Sequence, residues 1–266
     1  MNADYASLRV TRRSVAFLNP LYRLICRPIF CGLEKLPQNE PYLVVCNHLS
    51  SFDGVSMVFF FWKAGVHIRL VGKHTAFKFP VIGRFLSALG HIPIHRDSPQ
   101  AKTIVDTCAR HLSQGDIVGL YPEGTTTRQK QYWPMTFKTG AARIALRTGC
   151  KIVPVVSWGN QQFFPRYSFI PRFWRRPKMI FRALDPVETK QWSKCFPDYT
   201  EDALARELSD HLCGLITSAL AKERGEEPPE KTFDLRIEKD PWLEKSTWKL
   251  ALEDLPELRR QRRLKR

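Results

Sequence analysis

The residues best suited to chemistry lie in the run Asn47-His48-Leu49-Ser50-Ser51-Phe52-Asp53, where four residues separate a histidine from a carboxylate. A strand ending at Asn47 presents His48 at the rim of a sheet, and a helix beginning near Phe52 turns Asp53 back toward it. A carboxylate in that place fixes the imidazole tautomer and makes the ring a better base. Alone, the pair is met equally well by a loop histidine beside an aspartate that caps the first amides of a helix. Other candidates follow along the chain. Lys73 and Arg96 each follow a β-branched run and can converge on one anion. Tyr121-Pro122-Glu123-Gly124-Thr125-Thr126-Thr127-Arg128 sets a carboxylate and a glycine before three hydroxyls and a cation. Glycine permits close backbone approach, and the hydroxyls and exposed amides donate to oxygen ligands. Each also has an ordinary reading: Lys73 and Arg96 as surface charges, Glu123 as a cap on backbone amides.

The elements that must position these groups are legible from periodicity. Short apolar, β-branched runs at 42–46, 68–72, 91–95, 117–121, 152–157 and 178–183 predict strands. Pro154 interrupts one of them, which predicts a bulge or an edge there. Helical patterns fill the gaps. One covers 99–113, with Ser98 as N-cap, Pro99 at its first position and Gly115 past its end. Another covers 137–148 before Gly149, and a long one covers 201–224, with Thr200 at its start and Leu204, Leu208, Leu212, Leu215 and Ala219 on one face. This alternation predicts an α/β fold, a largely parallel sheet flanked by helices, with ligands beyond the carboxyl ends of the strands. The expected division is an N-terminal amphipathic, membrane-associating helical segment at 1–33, a main domain at 34–224, and a charged linker and basic tail at 225–266. Residues 241–266 begin with Pro241-Trp242 and carry Trp248, Leu252 and Leu255 at helical spacing, which suits a surface helix that binds membrane or a partner, or an extension packed on the same domain.

A net charge of +16 and a pI near 9.8 call for anionic partners. The charge concentrates in two places. Arg166, Arg172, Arg175, Arg176, Lys178 and Arg182 are interleaved with Phe163, Phe164, Tyr167, Phe169, Phe173, Trp174 and Phe181. Such a mixture suits the headgroup level of an anionic bilayer, and also a nucleic-acid backbone with stacked bases. The second concentration is the tail at 259–266. Seven scattered cysteines without a Cys-x-x-Cys predict reduced thiols, a cytosolic setting and no metal site. The apolar run at 14–18 is too short for a secretory signal, and no run reaches the roughly 20 residues that span a bilayer. Segment 14–33 carries Arg23 and Arg27 among Leu, Ile and Phe. It suits a helix lying on a membrane surface, or one packed on the domain with its arginines in water.

Taken in order, the segments resemble the four blocks of the glycerolipid acyltransferases, typified by bacterial 1-acylglycerol-3-phosphate acyltransferases. His48 and Asp53 match the His-x4-Asp block, with Asn47 before it; Gly90 and Arg96 match the second; Tyr121 to Thr125 match the third; Ile152 to Val156 match the fourth. Gly32-Leu33-Glu34-Lys35-Leu36-Pro37 and Phe137-Lys138-Thr139-Gly140-Ala141-Ala142 resemble the family's connecting segments, so the likeness covers about 30–185. One departure stands out: many members continue the third block Glu-Gly-Thr-Arg-Ser, whereas here Thr126 holds the arginine's place. The resemblance implies transfer of a fatty acyl group from acyl-coenzyme A or acyl carrier protein to a hydroxyl of 1-acylglycerol-3-phosphate, in phospholipid synthesis. Glycerol-3-phosphate and a glycolipid are alternative acceptors. His48 is then the general base and Asp53 its orienting carboxylate. Lys73, Arg96 and Arg128 are candidates for the acceptor's phosphate, Glu123 orders them or bonds the glycerol, and Gly124 and Thr125 line the substrate. No cofactor and no metal are implied. The expected partners are the acyl thioester, a lysophospholipid, an anionic membrane surface and, as one donor, acyl carrier protein, but no nucleic acid. The expected place is the cytoplasmic face of the cell membrane, peripheral or monotopic. Two rivals remain: a non-enzymatic basic protein on membrane or nucleic acid, and a hydrolase using the same histidine, although the chain lacks a Gly-x-Ser-x-Gly elbow.

Overall fold

A run of five residues from Tyr42 to Cys46, none exposed at all, lies at the centre of the molecule. The computed structural model describes residues 2–94, 101–166, 168 and 170–238. Within them, β1 (Arg27–Cys31), β2 (Tyr42–Cys46), β3 (Ile68–Lys73), β4 (Ile92–Ile94), β5 (Ile117–Leu120), β6 (Lys151–Trp158) and β7 (Lys178–Ala183) form one sheet in the order β1-β7-β6-β2-β5-β3-β4. Neighbours run parallel throughout, except that β6 and β7 are antiparallel. The expected α/β class with a largely parallel sheet is therefore what the chain forms.

Both faces of the central strands are covered, which explains why their sequences are continuously apolar rather than alternating. Leu43 and Val45 join a core with α5 (Ala101–Ser113), α6 (Gly140–Thr148) and α9 (Glu201–Arg224). Tyr42, Val44 and Cys46 face the opposite core, with α1 (Asn2–Ile25) and α2 (Asp53–Lys63). Short helices α3 (His74–Phe77) and α4 (Pro80–Ala88) follow β3, α7 (Asn160–Phe163) follows β6, and α8 (Trp192–Cys195) precedes α9. Capping sets the limits of α9: the Thr200 hydroxyl accepts from Ala203 N at 3.3 Å, and Gly225 ends the helix in the left-handed region at φ 64°. Its buried stripe runs Leu204, Leu208, Leu212, Ile216 and Leu220, so Leu215 and Ala219 lie at its margin rather than at its centre.

Two expectations are corrected, the helical segment 1–33 and the boundary at 225. Segment 1–33 is not helical throughout, because residues 27–31 form β1, an edge strand paired with β7. Val15, Tyr22 and Cys26 of the same segment are buried, and the Tyr22 ring stacks on Phe59 at 4.0 Å, so α1 is docked on the domain, the second of the two readings for 14–33. Pro154 is not on an edge: it sits inside β6 opposite Val45, and on its other side Leu184 N donates to Pro154 O at 2.8 Å. The pairing slips by one residue between Val155↔Ala183 and Ile152↔Val187, which is the bulge that the proline predicts. The boundary expected at 225 is not a break in packing, since Thr136 N donates to Phe233 O at 2.9 Å. The expected helix start at Ser98 and Pro99, and the surface helix and basic tail from 241 onward, lie outside the described residues. No helix among the described residues is long and apolar enough to cross a membrane.

Gly159, between β6 and α7, has φ 101°, and a Cβ there would meet Lys178 O at 1.9 Å. Gly159→Ala is expected to destabilise the fold by about 1–3 kcal/mol, from an unfavourable backbone region and a backbone clash. Urea unfolding measures this, and an unchanged midpoint would contradict it.

Candidate active site

At the carboxyl end of β2 the chain leaves the sheet through Asn47. Its side chain donates to Ser157 O at 2.9 Å and accepts from Ser157 N at 2.8 Å, which ties the ends of β2 and β6 together. The next residue, His48, is held by backbone on both sides: its N–H donates to Glu123 Oε1 at 2.7 Å and its carbonyl accepts from Thr127 N at 2.7 Å. The imidazole stacks on Tyr121 with centroids 4.2 Å apart. Two loops, 47–53 and 121–127, thus fix one ring.

Asp53 opens α2 and is completely buried. A buried carboxylate is costly unless hydrogen-bonded. Here Oδ2 accepts from His48 Nδ1 at 2.9 Å, Leu49 N at 2.6 Å and Ser50 N at 2.9 Å, while Oδ1 accepts from Asn160 Nδ2 at 2.7 Å. The cap expected of a helix-start aspartate and the histidine partnership therefore occur in the same side chain. An ionised carboxylate only accepts, so the ring proton sits on Nδ1 and Nε2 of the neutral imidazole is left as an acceptor.

His48 lines a cavity of about 560 Å³. Its walls are mainly apolar, from Val15 and Leu18 of α1, Val58 and Phe59 of α2, and Phe85 and Leu86 of α4, with Lys73, Thr125 and Thr126 among its polar lining. Leu18, Val55, Ile82 and Phe85 belong both to this lining and to the exposed surface, so the cavity opens onto an apolar face. His91 also lines it. Burial, with His67 and Arg69 nearby, lowers His91 to about 4, and its Nδ1 accepts from Leu70 N at 3.1 Å.

Of the residues singled out from sequence, the structure brings His48, Asp53, Lys73 and Thr125 to this cavity or its edge. Glu123 differs from expectation. It is 2% exposed, with Oε1 on His48 N and Oε2 on Met135 N at 3.1 Å, so it is a pin between two loops rather than a group lining the His48 cavity. Burial pushes its carboxyl up to about 8, against the downward pull of the His48 and Met135 amides. Gly124 gives the turn its left-handed residue at φ 75°. Arg128 lies outside the cavity lining, with its N–H on Met135 Sδ at 3.0 Å, because the chain has turned inward by that point. Arg96 lies outside the described residues.

Sequence reasoning missed two positioning groups. Arg166 was read as part of a basic surface, but its guanidinium donates to the carbonyls of Thr127, Gln129 and Lys130 and lies over the Tyr132 ring at 4.0 Å. Asn160 was not singled out. Its only sequence signal is a polar residue shortly after an apolar strand, at the end of the sheet where a site is expected.

The sequence model of the Acyltransferase family matches residues 27–158, from β1 to the end of β6, a span that contains His48, Asp53 and Glu123. A chloroplastic 1-acyl-sn-glycerol-3-phosphate acyltransferase of Brassica napus is 32% identical over 139 residues, 52% of this chain and 39% of that protein. A putative 1-acyl-sn-glycerol-3-phosphate acyltransferase of Caenorhabditis elegans is 30% identical over 194 residues, 72% of this chain and 63% of that protein. The corresponding Borreliella burgdorferi protein is 27% identical over 137 residues, 51% of this chain and 53% of that one. The chain thus spans less than two thirds of the length of each of these relatives. The crystal structure of the 1-acyl-sn-glycerophosphate acyltransferase PlsC from Thermotoga maritima aligns with a TM-score of 0.57 at 19% identity, over 84% of this chain and 80% of that one, which shows a shared fold. Through its family match and these relatives, the chain belongs to the acyltransferase family that includes the 1-acyl-sn-glycerol-3-phosphate acyltransferases.

Proposed function

We propose that the protein transfers a fatty acyl group from an acyl thioester to a hydroxyl of 1-acylglycerol-3-phosphate. The observation that carries this reading is His48, with Nδ1 on buried Asp53 and its side chain in the lining of a mainly apolar cavity. An alcohol is a poor nucleophile at neutral pH, so Nε2 takes its proton as the oxygen attacks the thioester carbonyl. Asp53 stabilises the imidazolium that forms, as the carboxylate of a triad does. The tetrahedral intermediate then expels the thiolate, which recovers the proton from Nε2. No enzyme nucleophile is needed, because the acceptor attacks directly. The apolar cavity suits a hydrocarbon chain, and its volume lies in the range of small-ligand sites.

Lys73, with Thr125 and Thr126, lines the same cavity as His48, which supports its assignment to the acceptor's phosphate. The donor is acyl-coenzyme A or acyl carrier protein. A membrane surface suits the opening: Phe17, Leu21 and Leu24 of α1, Phe79, Val81 and Ile82 around α4, and Phe173 and Trp174 are exposed, with Arg175 and Lys178 close by in the chain. The nucleic-acid alternative loses support, since Arg166 and Arg182, which it would use, make intramolecular contacts.

Purified protein, labelled acyl-coenzyme A and a panel of acceptors in detergent test the reading. Acylated 1-acylglycerol-3-phosphate is the expected product, and free fatty acid alone would reject it in favour of a hydrolase. His48→Ala is expected to lower the transfer rate about 10²–10⁴-fold with an unchanged melting temperature; a near wild-type rate would remove the general base from the scheme.

Glu123 makes a separate prediction about stability. Its folded carboxyl titrates at about 8 rather than near its ordinary 4.5. The folded state therefore binds an extra proton between those values, and the stability so gained is full below the lower one and lost as pH rises through the upper one. Glu123→Gln cannot ionise, so the stability advantage of wild type over this variant should shrink from pH 5 to pH 8. Urea midpoints at several pH values measure the difference, and one that stays flat or widens contradicts the assignment.

A further inference from the structure

The buried network behind His48 extends beyond Asp53. Asn160, the first residue of α7, is completely buried and lies 107 positions from Asp53 in sequence. Its Nδ2 donates to Asp53 Oδ1 at 2.7 Å and to Ser157 Oγ at 3.0 Å, and its Oδ1 accepts from Ser56 Oγ at 2.9 Å. The orientation of the amide is dictated by its partners: Asp53 can only accept, so the nitrogen must face it, and the Ser56 hydroxyl then donates to the remaining oxygen. Every polar atom of the Asn160 side chain is matched. The three donors on Oδ2 come from residues 48–50, the loop that carries His48, and move with it. Asn160 is instead anchored to the end of β6, through Gly159, whose backbone lies against Lys178. It ties the carboxylate to the sheet.

We infer that Asn160 is a positioning residue for acyl transfer, holding the Asp53 carboxylate in the plane and register that keep the His48 ring aimed at the acceptor hydroxyl. The inference rests on the functional reading above for its kinetic test. Without the Asn160 donor, the carboxylate keeps its local cap but loses its tether to the sheet, and the ring loses orientation rather than substrate affinity. A misaimed base lowers kcat and leaves KM, since the cavity and Lys73 are untouched.

Two variants separate this from a packing role. Asn160→Asp keeps the shape and the oxygen that faces Ser56, but sets a carboxyl against Asp53. Two carboxyls this close share one proton. The introduced group donates to Asp53 while protonated and repels it once ionised. Expected is a kcat that falls on the order of tenfold or more as pH rises, a decline absent from the wild-type profile, with both KM values held within about twofold. Ser56→Ala, which removes the donor to Asn160 Oδ1 along with a 3.8 Å contact to Met179 Sδ, should lower kcat a few-fold across the whole range and keep the wild-type pH profile. Unchanged kcat and pH profile in both folded variants overturn the inference; so does a decline seen only in KM. Should wild type transfer no acyl group to any acceptor, the functional reading falls, and Asn160 is judged on the His48 Nδ1 proton by low-field NMR. Faster solvent exchange of that proton in Asn160→Asp than in wild type supports the tether, and equal exchange rejects it.

Discussion

The carboxylate of Asp53 is the constraint around which the rest is arranged. It is taken wholly out of water, and an uncompensated charge there would cost several kcal/mol. Two segments far apart in sequence supply its donors: the loop after β2, through His48, Leu49 and Ser50, and the start of α7 beyond β6, through Asn160. Satisfying that charge requires β2 and β6 to be neighbours with their carboxyl ends in step, as their parallel register makes them. Asn47 repeats the demand by bonding both backbone groups of Ser157. The geometry of the imidazole is therefore a consequence of strand pairing, and any change that shifts the two strand ends shifts the base.

Glu123 works by the same physics on the other side of the ring. Its two oxygens collect the His48 and Met135 amides, and Arg166 gathers the carbonyls of the loop that follows. The 121–127 loop is held by buried polar groups that are matched from both sides, which leaves Thr125 and Thr126 on the cavity wall. An apolar cavity beside a base excludes water, and water is the competing acceptor for an acyl thioester. Under the proposed function, loops held in this way and a mainly apolar wall favour transfer to a lipid hydroxyl over hydrolysis.

Much of this was legible in the sequence, for identifiable reasons. β2, β3, β6 and β7 are apolar runs of strand length, and α9 carries both a threonine cap and a terminal glycine, so local signals and the final fold agree. The spacing of His48 and Asp53 was readable because a strand end and a helix start recur there. β1 was not, because the short run Arg27–Cys31 follows an amphipathic helix and is a strand only by virtue of β7, some 150 residues on. Pro154 signalled the bulge in β6 but not that the strand is central, because a proline marks a broken ladder without saying how many neighbours the strand has. Glu123 was assigned to the substrate, with a cap on backbone amides as its ordinary reading, and it does cap the His48 and Met135 amides; the choice was open because a carboxylate's burial cannot be read from its neighbours in sequence. Asn160 was invisible for a related reason: its role is defined by a contact between two ends of the sheet. The membership of the acyltransferase family rests on the ordered blocks, which the chain match spans as a unit.

The claim on which the rest turns is that Asp53 holds His48 with its proton on Nδ1, leaving Nε2 to act as base. Nitrogen-15 NMR of the selectively labelled imidazole, recorded at a pH where the ring is neutral, tests it directly. The expected spectrum has a protonated Nδ1 and an unprotonated Nε2 for His48, and substitution of Asp53 by Asn should disturb that pattern. A wild-type ring protonated on Nε2, with Nδ1 bare, would contradict it.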